Sequence, residues 1–141
     1  FVATNHTILQ AGLRPRFVDV DDQLCMDLNA LKKRLTSNCR AVVFVGIGGN
    51  VSQFWEISAF CEENGLLLIL DAAHMAGTKF NGDQVGKEAD CSIFSFQAVK
   101  NLPTADSGMI CFNSDYFDGV VRKLSWMGID KTTFKRSWSR L

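Results

Sequence analysis

Apolar residues in this chain gather into short unbroken runs, and between the runs they recur at helical spacing. Arg40-Ala41-Val42-Val43-Phe44-Val45 is rich in β-branched residues and reads as a strand. Leu66 to Leu70 is almost purely aliphatic and predicts a buried strand. Cys91 to Phe96 and Gly108 to Phe112 predict two more, and Arg16 to Val20 a short one through Phe17, Val18 and Val20. Four segments carry the helical period instead. The first, Thr7 to Ala11, stops at Gly12. The second, Leu28 to Leu35, has Asp27 in the N-cap position. The third, Ser52 to Glu63, is amphipathic through Phe54, Ile57, Phe60 and Cys61 and closes at Asn64-Gly65. The fourth runs from about Asp115 to Trp126. Lys79 to Val85 predicts a small hairpin turning at Asn81-Gly82.

Strand and helix alternate through the first half, which predicts parallel strands joined by right-handed crossovers. The expected fold class is α/β, with a mostly parallel sheet flanked by helices in three layers. No repeat, low-complexity tract or Pro/Gly/Ser linker divides residues 1–141, so a single domain is expected. Hydrophobic residues make up 47% and charged residues 21%, proportions that suit a packed core and exclude a disordered chain. The 15 basic and 15 acidic residues cancel, which removes any broad electrostatic case for nucleic acid or an anionic membrane. No apolar stretch has the length of a bilayer span, and the start lacks a signal-peptide pattern. Cys25, Cys39, Cys61, Cys91 and Cys111 are scattered without ligand spacing, which predicts free thiols, no metal site and a reducing cytoplasm.

Three features suggest chemistry. Lys100 follows the Cys91–Phe96 strand on a loop of small and polar residues, a placement that suits an amine held partly out of water and able to form a Schiff base. Asp71 ends the aliphatic Leu66–Leu70 run, where parallel α/β sheets place ligand-contacting groups. As a residue type before Ala72-Ala73 it also fits a helix N-cap. Gly46-Ile47-Gly48-Gly49 has neither the spacing of a dinucleotide fingerprint nor the lysine of a phosphate loop, and reads as a tight turn. The Phe54, Trp55 and Phe60 aromatics read as helix packing, and Lys32-Lys33-Arg34 as a solvated face.

Several of these segments, taken in order, resemble one family. They are Phe1 to Asn5, Pro15 to Val20, Leu70-Asp71-Ala72-Ala73-His74 with Gly77, Lys79 to Gly86, Phe94 to Leu102 and Trp126 to Lys131. Together they are similar to the sugar aminotransferases of the DegT/DnrJ/EryC1/StrS type, pyridoxal-phosphate enzymes of fold type I. The resemblance covers nearly the whole chain. It implies an enzyme that takes an amino group from an amino acid, glutamate being the expected donor, and delivers it to a nucleotide-linked keto sugar. It further implies a homodimer and alternation of the cofactor with pyridoxamine phosphate.

The same resemblance assigns site residues. Lys100 is the Schiff-base lysine and proton carrier, and Asp71 is the carboxylate that keeps the pyridine nitrogen protonated. His74 neighbours the cofactor's ring hydroxyl, Ser95 contacts its phosphate, and Phe1 covers the open face of the ring. On residue type alone, Ser95 could equally bond a neighbouring strand, Phe1 could be core, and His74 could be structural.

The chain also departs from the family pattern. Gly46 stands where relatives often carry His, and Val51 where Pro is usual. Ala105 and Ser107 replace glycines. The family's glycine-rich phosphate loop is expected before Phe1, and a partner-contributed segment after Leu141, in a longer subunit. The alternatives are a dehydratase of the same family, whose relatives carry His at the lysine position, and a non-catalytic or inert homologue.

Overall fold

The computed structural model describes residues 1–129. The end of the Trp126–Lys131 segment lies outside the described residues. Helix α1 spans Val2–Gln10 and α2 spans Leu28–Arg34. Strand β1, Ala41–Val45, leads through a short 3-10 turn at Ile47–Gly49 to α3, Phe54–Glu63. Strand β2 is Leu67–Asp71, and β3 (Lys79–Phe80) and β4 (Asp83–Gln84) form the small hairpin. Strand β5 is Cys91–Ser95, β6 is Gly108–Phe112, and α4 is Asp115–Leu124.

The main sheet has the order β1-β2-β5-β6. β1, β2 and β5 run parallel, and β6 joins antiparallel, so the sheet is mostly parallel, as the alternating pattern predicts. The register Phe44–Leu70–Ser92 and its neighbours put Val42, Phe44, Leu68, Leu70, Ser92 and Phe94 on one face. Against that face α3 packs Phe54, Ile57 and Cys61, all buried. The rings of Phe44 and Phe54 lie 5.1 Å apart, and Trp55 stacks on Phe80 at 3.8 Å, which ties α3 to the hairpin. The aromatics of this helix are therefore packing, as expected.

Local chemistry places the ends. The Asp27 carboxylate accepts from the Ala30 N–H at 2.6 Å and caps α2, whose Lys32, Lys33 and Arg34 are exposed. Asn81 and Gly82 both have positive φ, 51° and 90°, the requirement of a two-residue type I′ hairpin turn.

Two expectations need correction. Arg16 to Val20 is not a strand: one isolated bridge joins Val20 to Met26. The chain folds back on itself at Asp21–Cys25, where the Asp21 carboxylate accepts from the Gln23 and Cys25 N–H groups at 2.9 and 3.1 Å. With its turn closed locally, the segment pairs with no named strand among the described residues. The first helix starts at Val2, well before Thr7. The β2–β5 connection holds the hairpin expected at Lys79 to Val85.

Candidate active site

The sheet's carboxyl edge follows directly from the strand pattern. Asp71 is the last residue of β2 and Ser95 the last of β5, and these strands are neighbours. Residues of odd number on β2 and β5 share the face opposite α3, so Asp71 and Ser95 rise from the same side. Helix α1 reaches that side. The Thr4 hydroxyl donates to Asp71 Oδ2 at 2.7 Å, while Asp71 Oδ1 accepts from the Ala73 N–H at 3.2 Å. The second bond is a local turn and not a helix cap, because no helix follows Asp71.

Beyond Asp71 the chain turns under β1. Gly46 donates its N–H to the Asp71 carbonyl at 3.2 Å, and the Gly48 N–H donates to His74 Nδ1 at 3.2 Å. With Nδ1 accepting, the neutral imidazole carries its proton on Nε2, which leaves a donor. Met75 is fully buried beneath this turn. A Cβ on Gly46 would come within 2.0 Å of its sulfur, so the glycine makes room for the methionine.

An open cleft of about 440 Å³ lies at this edge. Gly48, Gly49 and His74 contribute to one part of its lining, Ala76, Gly77 and Thr78 to another, and Val99, Lys100 and Asn101 to a third. The structure therefore brings Lys100 and His74 to one cleft and sets Asp71 and Ser95 on adjacent strand ends. Ser95 Oγ accepts from the Gln97 N–H at 3.4 Å, at the start of the lysine loop. Phe1 is 93% exposed and does not line the cleft.

Sequence reasoning did not single out Thr4, Met75 or Asn101 as parts of the site. Thr4 meets Asp71 across 67 positions, and no local spacing signals such a contact. The cysteines are free. Burial holds the Cys61 and Cys91 thiols up at about 11. Hydrogen bonds from Thr36 lower Cys39. Among the described residues no group of three metal-ligating side chains comes together. None of the described helices is long and apolar enough to cross a membrane.

The family model for the DegT/DnrJ/EryC1/StrS aminotransferase family matches residues 1–141. The chain is 35% identical to the UDP-4-amino-4,6-dideoxy-N-acetyl-β-L-altrosamine transaminase of Campylobacter jejuni, over 98% of this chain and 37% of that protein. It is 32% identical to the GDP-perosamine synthase of Vibrio cholerae, over 100% of this chain and 38% of that protein. The structure of DesI in the presence of its TDP-sugar product is similar, with a TM-score of 0.85 and 30% identity over 94% of this chain and 34% of that one. The chain thus spans little more than a third of the length of these relatives.

Proposed function

The chain belongs to the DegT/DnrJ/EryC1/StrS aminotransferase family, and from that membership we propose that it forms part of a pyridoxal-phosphate-dependent aminotransferase. The reaction would carry an amino group from an amino acid, glutamate in our reading, to a keto sugar linked to a nucleotide. The relatives' names support the substrate class, since they span UDP, GDP and TDP sugars. The protein would work as a cytoplasmic homodimer. The observation that carries the proposal is that Lys100 and His74 line one open cleft at the carboxyl edge of the sheet.

The side chains present fit the cofactor's chemistry. When bound, pyridoxal phosphate supplies an electron sink for the carbon from which the amino group departs. Lys100 offers a primary amine to a carbonyl, and the same Nζ, once released, can take and return a proton. Asp71 has given one lone pair to Thr4 and one to Ala73, so both carboxylate oxygens retain acceptor capacity for a protonated ring nitrogen. His74 Nε2–H can donate to a ring oxygen. Ser95 would supply a hydroxyl to the phosphate. Gly48 adds no side chain to the wall, and a Cβ there would meet nothing within 4 Å, so this part of the cleft stays open.

The test is to incubate the complete protein with pyridoxal phosphate, reduce with borohydride and map the modified peptide. The label is expected on Lys100, and Lys100→Ala should lose both the label and transamination. Label confined to another lysine would overturn the assignment. Assay with glutamate and a panel of nucleotide-linked keto sugars then addresses donor and acceptor.

A further inference from the structure

The loop carrying Lys100 is closed mainly on itself. The Phe96 N–H donates to the Ser107 carbonyl and the Thr104 N–H to the Phe96 carbonyl, both at 2.8 Å, and the Thr104 and Ser107 hydroxyls are bonded to each other. The Lys100 N–H donates back to Gln97 at 2.9 Å, and the Val99 N–H to the Gln97 side chain at 3.3 Å. These bonds shape the loop but do not connect its tip to the facing wall of the cleft.

One bond does. Asn101 Nδ2 donates to the Ala76 carbonyl at 2.6 Å, across 25 positions of sequence. Ala76 lies two residues after His74, and both Ala76 and Asn101 line the cleft. The acceptor is itself fixed from both sides by Gln84, whose Nε2 donates to the Met75 carbonyl and whose Oε1 accepts from the Gly77 N–H, each at 3.1 Å. A rigid carbonyl thus meets a donor on the residue next to the proposed nucleophile.

We propose that Asn101 is a positioning residue that pins the Lys100 loop to the His74 wall and holds the amine in register with the cleft. The role rests on the reading of Lys100 as the cofactor-bearing lysine. It requires a donor at position 101, because a carboxylate there would set one acceptor against another. A lysine side chain has a long flexible stem, so the backbone beneath it is the part the protein can fix.

The experiment compares the complete protein with its Asn101→Ala, Asn101→Asp and Asn101→Gln variants in three measurements. These are amide hydrogen exchange across residues 97–102 without ligand, the rate at which pyridoxal phosphate becomes borohydride-fixed to Lys100, and the global unfolding midpoint. Losing one hydrogen bond should speed local exchange by roughly five- to tenfold in the Ala and Asp variants. Fixation at Lys100 should slow by a similar factor, the midpoint should hold, and Gln should recover part of the rate. Wild-type exchange and fixation in Asn101→Ala would overturn the proposal. So would faster exchange with unchanged fixation, which would make the bond a tie without influence on the amine. If the wild type is never fixed at Lys100 while exchange still rises in the variants, the reading of Lys100 fails and the positioning role falls with it, although the tie itself is real.

Discussion

Gly46 and Met75 form a lock-and-fill pair directly behind the site: the glycine has no side chain because the methionine's sulfur occupies its space. Adding a methyl at 46 must displace a fully buried side chain, and such overpacking costs about 1–3 kcal/mol. Gly46→Ala should therefore lower the urea midpoint by a corresponding amount. Met75→Ala alone should cost about 2–5 kcal/mol through its cavity. The double variant should be more stable than the sum of the two losses predicts, and strict additivity would show that the contact is not the cause. Asp71 allows a second forecast at this scale. Its oxygens are oriented by Thr4 and Ala73, and an amide in its place cannot hold a pyridinium charge. Asp71→Asn should keep cofactor binding while kcat falls by at least about a hundredfold, a loss on the order of 3 kcal/mol of transition-state stabilisation. Near-normal turnover would reduce Asp71 to a structural acceptor. Ala105 shows the opposite situation. It sits at φ 74°, in the left-handed region that a side chain disfavours.

Single side chains also join elements. The Asp21 carboxylate holds the 21–25 turn, accepts from the Ser52 hydroxyl, and takes a bond from Gln53 Nε2 at 3.3 Å. Gln53 Oε1 in turn accepts from the Leu28 N–H at 3.2 Å, so the starts of α2 and α3 meet at this group. The Ser52 bond is the first cause that lowers the Asp21 carboxyl below its ordinary value of 3.8. A carboxylate depressed on folding stabilises the protein fully above the ordinary value, and the contribution is lost as pH falls through the lowered one. Asp21→Ala should thus have a lower melting temperature than wild type at neutral pH, with the gap closing in acid. A gap that stays constant with pH would assign the effect to packing. This is also the part of the fold that was hardest to read from sequence. Caps, glycine stops and aliphatic runs are local, so β1, β2, β5, β6 and α2 were legible within a residue or two. Phe17, Val18 and Val20 have strand composition too, yet Asp21 closes the chain before it can find a neighbour, and composition cannot report a missing neighbour.

For the molecule as a whole, the two faces of the sheet are unequal. Lys100, Asp71, His74 and Ser95 are candidates by residue type, order and resemblance, whereas the common side of Asp71 and Ser95 depends on the β2–β5 register, which sequence does not carry. The same register exposes a face opposite α3, where Leu67 is 45%, Ile93 40% and Ile110 42% exposed. Among the described residues β6 also pairs with β5 alone, which leaves one edge unpaired. An apolar patch joined to an open edge favours association. These 141 residues, studied alone, should bind an apolar dye and sediment above monomer mass. Ile93 and Ile110 are direct cross-strand partners, so Ile93→Lys with Ile110→Glu places opposite charges side by side on the patch. That pair should reduce both dye binding and association in the 141-residue chain. A dye-silent monomer for the unmodified 141 residues would show that the face is satisfied as it stands.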